Sequence, residues 1–334
     1  MVSISDVARH AGVSPTTVSH ALSGKRRVSD ELRDKVLNAM AELDYVPTRA
    51  AQNLALGRSG ILAIIVPDIA IEYFAELAKS VEREAVERGY NLMLATTGFD
   101  AEREARYLEM IASRAVDGIV YASGASLGIT ARASLSHGLP VVMVDEELEG
   151  VELRTVISDN EEGGRLVAEH LLALGHRRVL EIQGAPLPVT SVNRSRGFAQ
   201  PWIAAGGEIV TTSGDYTADG GRAAVERYLP EMRERGMTAV FAHNDLMALG
   251  ALDALRSHGI GVPDEVSVVG FDDMSSGHYS VPRLTTVRQD VDALGRLAAQ
   301  AVLDAVEAKE PIAPERTVLP VTLIVRSSTA EAVR

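Results

Sequence analysis

The sequence predicts an α/β protein that has a small all-helical domain at its amino terminus. From residue 60 onward, short apolar strands alternate with helix-length amphipathic segments, a pattern typical of parallel sheets covered by helices on both faces. The preceding residues contain only short helical patterns. The charge changes near the same place, because residues 1–58 contain eight Lys and Arg against six Asp and Glu, whereas the rest contains 25 against 40. A basic end on an acidic body indicates that the amino-terminal domain faces nucleic acid.

Composition excludes several classes of protein. The 334 residues include no cysteine, which excludes disulfide scaffolds, thiolate zinc sites and cysteine nucleophiles. The longest clean apolar run, Ile61 to Val66, is far shorter than the roughly 20 residues that cross a bilayer. The first residues, MVSISDVARHAGVS, are polar and unlike a signal peptide. We therefore expect a soluble, cytoplasmic protein that has no membrane partner.

Three short helices are predicted in the amino-terminal domain. Ser3 caps the first helix, which has capping-box spacing to Asp6 and ends at Gly12. The second helix begins at Pro15 after the cap Ser14 and ends at Gly24, and the third begins at Ser29. The third helix has an apolar face at helical spacing: Leu32, Val36, Met40 and Leu43.

The second helix has one polar and one apolar side. At about 100° per residue, Thr16, Thr17 and His20 share one face, whereas Val18 lies opposite. Two helices joined by a tight turn, with a free polar stripe on the second, predict a helix-turn-helix. An ordinary helix with a solvated outer face is the alternative. A neighbouring basic run favours phosphate contact over that alternative: Lys25, Arg26 and Arg27.

A short helix is predicted between the amino-terminal domain and the body. It begins at Pro47 and Thr48 and ends at Gly57. Isolated helices need about 12–15 residues to be stable in water, so this one orders only against a partner. A plain linker is the alternative interpretation.

The body is predicted to contain two α/β lobes, because the alternation of strands and helices begins again near Asn160. Strand candidates are Ile61–Val66, Tyr90–Ala95, Asp117–Ala122, Pro140–Val144, Val179–Ile182, Ala239–Ala242 and Val266–Gly270. Helix candidates are Tyr73–Glu87, Glu102–Ala112 and Leu246–His258.

Polar residues follow most of these strands. They are Asp68, Thr96, Ser123 and Asp145 in the first lobe, and Gln183, Asn244 and Asp272 in the second. The carboxyl ends of parallel strands border the ligand crevice of an open sheet, so two facing edges predict a binding cleft. Capping of the next helix is the alternative, and Asn244 resembles a cap. Arg194, which opens a helix in VNRSRGF, adds a charge that capping does not explain.

Several motifs together resemble the lac/galactose repressor family of bacterial transcription regulators. They are IxDVAxxAGVSxTTVSxALxG, a basic loop, LxYxPxxAAxxLxxGxS and the apolar strand that follows. The resemblance implies that the second helix enters the major groove, that the short helix pairs with its mate in a homodimer, and that Leu54 wedges into the minor groove. The DNA-contacting residues are then Ser14, Thr16, Thr17, His20, Lys25, Arg26, Arg27, Ala51 and Leu54. Pro15 cannot hydrogen-bond a base edge, so an unusual operator preference is expected.

The resemblance also implies a periplasmic-binding-protein-like body of parallel sheets that binds a small-molecule effector. It implies a helix-turn-helix domain at 1–47, a hinge helix and linker at 48–59, a first lobe at 60–159 plus 288–318, and a second lobe at 160–287 plus 319–334. The implied effector residues are Tyr73, Phe74, Ser123, Asp145, Arg194, Tyr216, Asn244, Asp272 and Gln289. Their chemistry suits a sugar or polyol. Relatives that bind purines have an arginine where this chain has Pro188, which disfavours a purine.

Three other functions are weighed against an effector-controlled repressor of operator DNA. An enzyme lacks support, since the sequence has no GxGxxG, GxxxxGK[ST] or HExxH motif, and we expect no cofactor, metal or catalytic residue. An exported two-lobed sugar-binding protein disagrees with the helix-turn-helix pattern. A regulator of the same fold controlled by a phosphocarrier protein, docked near Tyr73–Val81, stays open. Within the cytoplasm we expect association with the bacterial nucleoid.

Overall fold

The structure of the protein is a computed structural model that describes residues 2–23, 26, 28–45, 58–110, 115–122, 139–147, 152–184 and 188–333. Its described part comprises three amino-terminal helices and a body of two six-stranded sheets. None of the described helices is both long enough and apolar enough to cross a membrane.

The amino-terminal domain contains the three predicted helices, α1 (Ile4–Ala11), α2 (Pro15–Ser23) and α3 (Asp30–Glu42). The predicted capping box is confirmed, because Ser3 Oγ accepts from the Asp6 N–H and the Asp6 carboxylate accepts from the Ser3 N–H. Gly12 ends α1 in the left-handed conformation, with φ 66°. One buried cluster joins the three helices: Val7, Ala8, Val18, Val36 and Ala39. Gly24, the predicted end of α2, lies outside the described residues.

The first sheet is parallel throughout. Its strands are β1 (Ile61–Val66), β2 (Asn91–Thr96), β3 (Gly118–Tyr121), β4 (Val141–Val144), β5 (Arg154–Ser158) and β11 (Arg316–Leu319). They lie in the order β11-β5-β4-β3-β1-β2. Helices α4 (Glu72–Glu87) and α11 (Val291–Ala308) pack on this sheet and on each other, and α5 (Ala101–Met110) follows β2.

The second sheet repeats the arrangement. Its strands are β6 (Arg178–Gln183), β7 (Glu208–Ser213), β8 (Ala239–Ala242), β9 (Ser267–Asp272), β10 (Thr285–Arg288) and β12 (Thr322–Ile324). They lie in the order β12-β10-β9-β8-β6-β7, and only β12 is antiparallel to its neighbour. Its helices are α6 (Asn160–Ala173), α7 (Val189–Ala204), α8 (Ala218–Arg235), α9 (Asp245–Ser257) and α10 (Ser275–His278).

The predicted α/β architecture is confirmed, and all seven strand candidates form strands within two residues of their predicted ends. Five strands were not predicted: β5, β7, β10, β11 and β12. Each contains threonine, and none is a continuous apolar run. Three of them, β7, β11 and β12, lie at sheet edges and keep some residues exposed, so they need no continuous apolar run. The chain passes between the sheets after β5, after β10 and after β11, so the two lobes share three crossing segments.

Glycines bring α6 and α7 unusually close together. A Cβ on Gly197 would overlap the backbone oxygen of Glu161 in α6, and a Cβ on Gly164 would overlap that of Arg194 in α7. Close packing of this pair of helices fixes the position of the first turns of α7 relative to α6. Trp202, preferred as a core residue from the sequence, is fully buried in α7 and stacks on Phe198.

We predict that Gly197→Ala lowers the free energy of unfolding of the second lobe by about 1–3 kcal/mol, because the added methyl group forces α6 and α7 apart. Denaturant unfolding followed by the fluorescence of Trp202, the single tryptophan, measures the change. Gln200→Ala on the exposed side of α7 is the matched control. Equal midpoints for the two variants would show that the helices do not need this contact.

Candidate functional site

The polar face of α2 is the first candidate site. Thr16 is exposed, Thr17 and His20 are partly exposed, and Val18 on the opposite side is fully buried. Ser14 caps the helix, since its Oγ accepts from the Thr17 N–H at 3.1 Å and lies 2.9 Å from Thr17 Oγ1. The Ser14 and Thr17 hydroxyls therefore bond to each other, which leaves Thr16 and His20 as the freer polar side chains on this face.

Other residues expected at DNA fall partly outside the described chain. Arg26 is exposed just beyond α2. Lys25, Arg27, Ala51, Leu54 and the predicted hinge helix lie outside the described residues.

The second candidate site lies between the two lobes, where buried charged side chains meet. From the first lobe, Tyr73 Oη donates to Asp145 Oδ1 at 2.6 Å. From the second lobe, Arg194 Nη1 lies 3.9 Å from Asp272 Oδ1. Gln289, in the crossing segment after β10, donates to the same Asp272 oxygen at 2.7 Å. All five side chains are buried. Burial raises the pKa of Asp145 and of Asp272, the Arg194 charge opposes both rises, and Asp145 adds to the rise at Asp272, so the structure brings together five of the residues expected at the effector.

Arg194 is held by the second lobe before any ligand contacts it. Its Nε donates to Asn160 Oδ1 at 2.7 Å, and Nη1 donates to the backbone carbonyl of His243. The guanidinium carbon lies 3.8 Å from the centre of the Phe271 ring, a cation–π distance. Because α7 packs so closely on α6, these contacts fix the guanidinium at the floor of the cleft.

Carboxylates of the first lobe bind the second lobe at two places. Glu146 accepts from the Val189 N–H at 3.1 Å and from the Thr190 hydroxyl, and so caps the amino terminus of α7. Glu72 accepts from the N–H groups of Ser275 and Ser276 at the start of α10. These two contacts hold the lobes against each other on either side of the buried charges.

The buried charges between the lobes, among the described residues, include more acidic than basic groups. Three buried carboxyls, Asp145, Glu146 and Asp272, face the single guanidinium of Arg194. Burial raises the pKa of Glu146, and the neighbouring Asp145 carboxylate raises it further. Burial raises the pKa of Asp145 although Arg194 opposes the rise. Burial also raises the pKa of Asp272, to about 7. At neutral pH the cluster therefore contains protonated carboxyls, which donate hydrogen bonds as well as accept them.

Two buried polar atoms at this site have no hydrogen-bond partner among the described residues: Tyr216 Oη and Gln289 Oε1. The Tyr216 ring is partly exposed and packs over Gly184, where a Cβ would overlap the ring, but its hydroxyl is buried. Burial raises the pKa of Tyr216 to about 12, so the phenol is protonated. A buried polar atom without a partner costs about 1–3 kcal/mol, and a bound ligand that pairs with it recovers this energy.

A cleft of about 480 Å³ adjoins these charges at the crossing segments. Its lining comes from both lobes and includes Ser158, Asn160, Val189, Asn193, Arg196 and Arg316. Asn160 lines this cleft and also holds Arg194. The volume suits a small molecule.

Comparison with known proteins agrees with this architecture. The family model described as bacterial regulatory proteins, lacI family, matches residues 3–48, and the periplasmic binding protein-like domain matches residues 168–329. The HTH-type transcriptional regulator DegA of Bacillus subtilis (strain 168) is 34% identical over 337 residues, covering 98% of each chain. The chain belongs to the lacI family of bacterial regulatory proteins.

Two solved structures of transcription regulators resemble the whole chain. The lac repressor dimer bound to operator and the anti-inducer ONPF has a TM-score of 0.83 and 28% identity, and covers 98% of this chain and 99% of its own. The complex of the transcriptional regulator CelR with cellobiose has a TM-score of 0.73 and 32% identity, and covers 98% of this chain and 100% of its own. The DNA-binding helices and the two-lobed body therefore occur together in solved regulators of this family.

Three residues expected at the effector are placed differently or fall outside the described chain. Asn244 caps α9, with its Oδ1 accepting from the Met247 N–H, and donates to the Tyr216 carbonyl, so the capping alternative accounts for its side chain. Phe74 packs in the first-lobe core, edge-on to Tyr73 at 5.2 Å. Ser123 lies outside the described residues.

Sequence reasoning did not include Glu146, Thr190 and Asn160. Each contacts its partners across a large sequence separation: contact between the lobes joins Glu146 to Thr190, and packing of α6 on α7 joins Asn160 to Arg194. Glu146 follows Asp145 directly, so its position after a buried strand was the one available signal. Among the described residues, no group of three His, Cys, Asp or Glu side chains is arranged to hold a metal ion.

We predict different stability changes when the two cleft tyrosines lose their hydroxyls. Tyr73→Phe lowers the free energy of unfolding by about 1–3 kcal/mol, because it leaves the buried Asp145 without its donor. Tyr216→Phe leaves the free energy unchanged or slightly raised, because the deleted hydroxyl has no partner among the described residues. Thermal unfolding without added ligand measures both changes, and Tyr228→Phe, a half-buried tyrosine elsewhere in the second lobe, is the control. A larger loss for Tyr216→Phe than for Tyr73→Phe would contradict this assignment.

Proposed function

We propose that this protein is a transcription repressor whose affinity for operator DNA changes when a sugar or polyol binds between its two lobes. The observation that supports the effector most directly is the pair of unpartnered polar atoms, Tyr216 Oη and Gln289 Oε1, beside buried charges from both lobes. Family membership supports the DNA-binding half of the proposal.

The amino-terminal domain supports readout of base edges by α2. Thr16 and His20 offer short polar groups on a helix whose opposite side is anchored by Val18. In a helix-turn-helix, residues near the start of the second helix contact bases in the major groove. We propose Ser14 and Thr17 as further contacts, Lys25, Arg26 and Arg27 as phosphate contacts, and Ala51 with Leu54 as minor-groove contacts.

The chemistry of the cleft supports a polyhydroxylated effector. A hydroxyl both donates and accepts, and the site offers carboxylate acceptors, guanidinium and phenol donors and an amide oxygen. Tyr216 adds an aromatic face beside them. The proposed set is Tyr73, Phe74, Ser123, Asp145, Arg194, Tyr216, Asn244, Asp272 and Gln289, with Asn244 acting through its hold on Tyr216. The CelR relative binds cellobiose, which is consistent with a sugar.

The proposed coupling depends on a ligand that bonds to both lobes at once. Asp145 belongs to the first lobe and Arg194 and Tyr216 to the second, so an effector bonded to all three changes the angle between the lobes. We propose a homodimer in which that angle sets the spacing of the two DNA-binding domains on one operator, in the nucleoid of the bacterial cytoplasm. Allosteric couplings of about 1–3 kcal/mol correspond to a roughly 5- to 150-fold change in operator affinity.

The alternative of a docked phosphocarrier protein gains no support from the face that it would need. Most side chains at 73–81 are buried against the first sheet and α11, including Leu77 and Val81. Only Glu76 and Lys79 on this stretch are strongly exposed, and they pair with each other.

We predict that His20→Ala weakens binding to the cognate operator by about 1–3 kcal/mol, because one base-edge contact is lost, while binding to random DNA stays the same. Fluorescence anisotropy with the two duplexes at one salt concentration measures the difference. Asn38→Ala, an exposed neutral residue on α3, is the control. Equal losses on both duplexes would place His20 at the phosphates and remove it from base readout.

We predict that Tyr216→Phe weakens binding of the effector at least several-fold and reduces its influence on the operator, while operator affinity without effector is unchanged. A thermal-shift screen of sugars, polyols and nucleosides identifies the effector, and calorimetry measures the affinity. Tyr228→Phe again controls for loss of a hydroxyl. Unchanged affinity in Tyr216→Phe would remove this phenol from the site, and a screen without hits would contradict the sugar and polyol class.

A further inference from the structure

A buried line of three side chains runs through the second lobe and ends at the interlobe cleft. His243 Nε2 lies 3.0 Å from Glu181 Oε1, and His243 Nδ1 lies 2.9 Å from Ser191 Oγ. All three residues are 5% exposed or less. Ser191 is the third residue of α7, next to Thr190, which bonds to Glu146 of the first lobe. The interlobe site as proposed above does not use these residues.

The surroundings of Glu181 fix it as a carboxylate that only accepts. Besides His243, it accepts from Ser195 Oγ at 2.8 Å, from Gln183 Nε2 at 3.2 Å and from Thr211 Oγ1 at 3.3 Å. Burial alone would raise the pKa of Glu181, but the bonds from His243, Ser195 and Gln183 outweigh burial and hold it below its ordinary value. Glu181 is therefore ionised at neutral pH.

The direction of each hydrogen bond in the line follows from that charge. Burial lowers the pKa of His243 despite the neighbouring Glu181, so the imidazole is neutral and carries one proton. Glu181 can only accept, so this proton sits on Nε2. Nδ1 is then an acceptor, and the Ser191 hydroxyl must donate to it.

The free side of Ser191 Oγ thus has lone pairs and no proton. Among the described residues, the one side-chain partner at hydrogen-bond geometry is His243 Nδ1, which accepts from Ser191 and leaves these lone pairs free. The Tyr216 phenol lies beside Ser191 Oγ, since the Ser191 and Thr190 hydroxyls both act on it by hydrogen bonding and lower its pKa against the rise that burial causes, although no described residue partners the phenol at full hydrogen-bond geometry. An effector that reaches Tyr216 therefore also reaches the lone pairs of Ser191.

The same order of bonds occurs in acid–histidine–serine hydrolases, but two features argue against catalysis here. His243 is fully buried, and the Val189 N–H at the start of α7, which could stabilise an oxyanion, is bonded to Glu146. The arrangement serves to orient a hydroxyl.

We propose that Glu181 and His243 are positioning residues that turn the Ser191 proton away from the cleft, so that Ser191 Oγ selects effectors that donate a hydroxyl hydrogen bond beside Tyr216. The inference rests on the proposed function, since it specifies one requirement of the effector.

The tautomer of His243 tests the orientation without any ligand. In the full-length chain with ¹⁵N-labelled histidine at pH 7, two-bond ¹H–¹⁵N spectra are expected to show Nε2 protonated and Nδ1 bare. A His243→Asn sample assigns the signal among the eight histidines. Glu181→Leu is expected to change the tautomer, whereas Thr211→Val, which removes another bond to the same carboxylate, is expected to leave it. A wild-type ring protonated on Nδ1 would overturn the proposal, whether or not Glu181→Leu folds.

Sugar binding tests the selection. D-ribose, D-xylose, D-glucose and cellobiose are titrated with their monodeoxyfluoro derivatives, in which fluorine replaces one donating hydroxyl. For a sugar that binds, Ser191→Ala is expected to weaken binding roughly 2- to 12-fold and to lose discrimination against one fluoro derivative that the wild type rejects. Thr211→Val is expected to keep that discrimination.

Failure of the proposed role of Ser191 and failure of the proposed function give different results. Equal discrimination in the wild type and Ser191→Ala would overturn the role of Ser191 while leaving the proposed function intact. If none of the four sugars binds the wild type, the proposed function fails for them, whereas the tautomer measurement still decides the direction of the Ser191 hydroxyl.

Discussion

The burial of the Arg194 guanidinium between the lobes is the constraint on which the rest of the cleft depends. A charge removed from water must be compensated, and Asn160, the His243 carbonyl and Asp272 compensate it from within the second lobe. The glycine contacts of α6 and α7 fix the helix that carries it. Asp145 then faces this cation from the first lobe, so closing the lobes also completes the charge compensation of Arg194. A ligand that alters the compensation alters the closure.

The cleft differs from an ordinary packed interface in what it leaves unpaired. Around Glu181 in the second lobe, buried polar groups are paired densely, and acidic side chains of the first lobe cap the amino termini of α7 and α10. Among the described residues at the centre, three buried acids face one buried guanidinium, and two polar atoms lack partners. Protein interiors rarely leave such groups unsatisfied without a functional reason. The extra acids and the unpartnered atoms lie where one small molecule can contact both lobes.

Much of this could be predicted from the sequence, because the strongest signals are local. Apolar strands such as β1 and β8 and the capped helices of the amino-terminal domain depend on neighbouring residues, and they were predicted within two residues. Asp145 and Asp272 could be singled out since each lies at the end of a strand. Arg194 was expected to open a helix, but α7 begins at Val189 and Arg194 is its sixth residue. Glu146, Asn160 and the Ser191–His243–Glu181 line could not, because their partners lie 34 to 62 positions away and only tertiary packing brings them together. Asn244 shows that position at a strand end is not enough to identify a ligand contact, since its side chain caps the helix that follows.

Reciprocity of binding is the sharpest test of whether the cleft and the DNA-binding domain are coupled. If one effector shifts the lobes that set operator affinity, then the operator must shift effector affinity by the same factor. Calorimetric titration of the effector into the dimer, free and saturated with operator duplex, gives one factor, and anisotropy of labelled operator with and without effector gives the other. We expect two equal factors, within about 5- to 150-fold. An effector that binds the cleft with identical affinity in both states, and leaves operator binding unchanged, would contradict it.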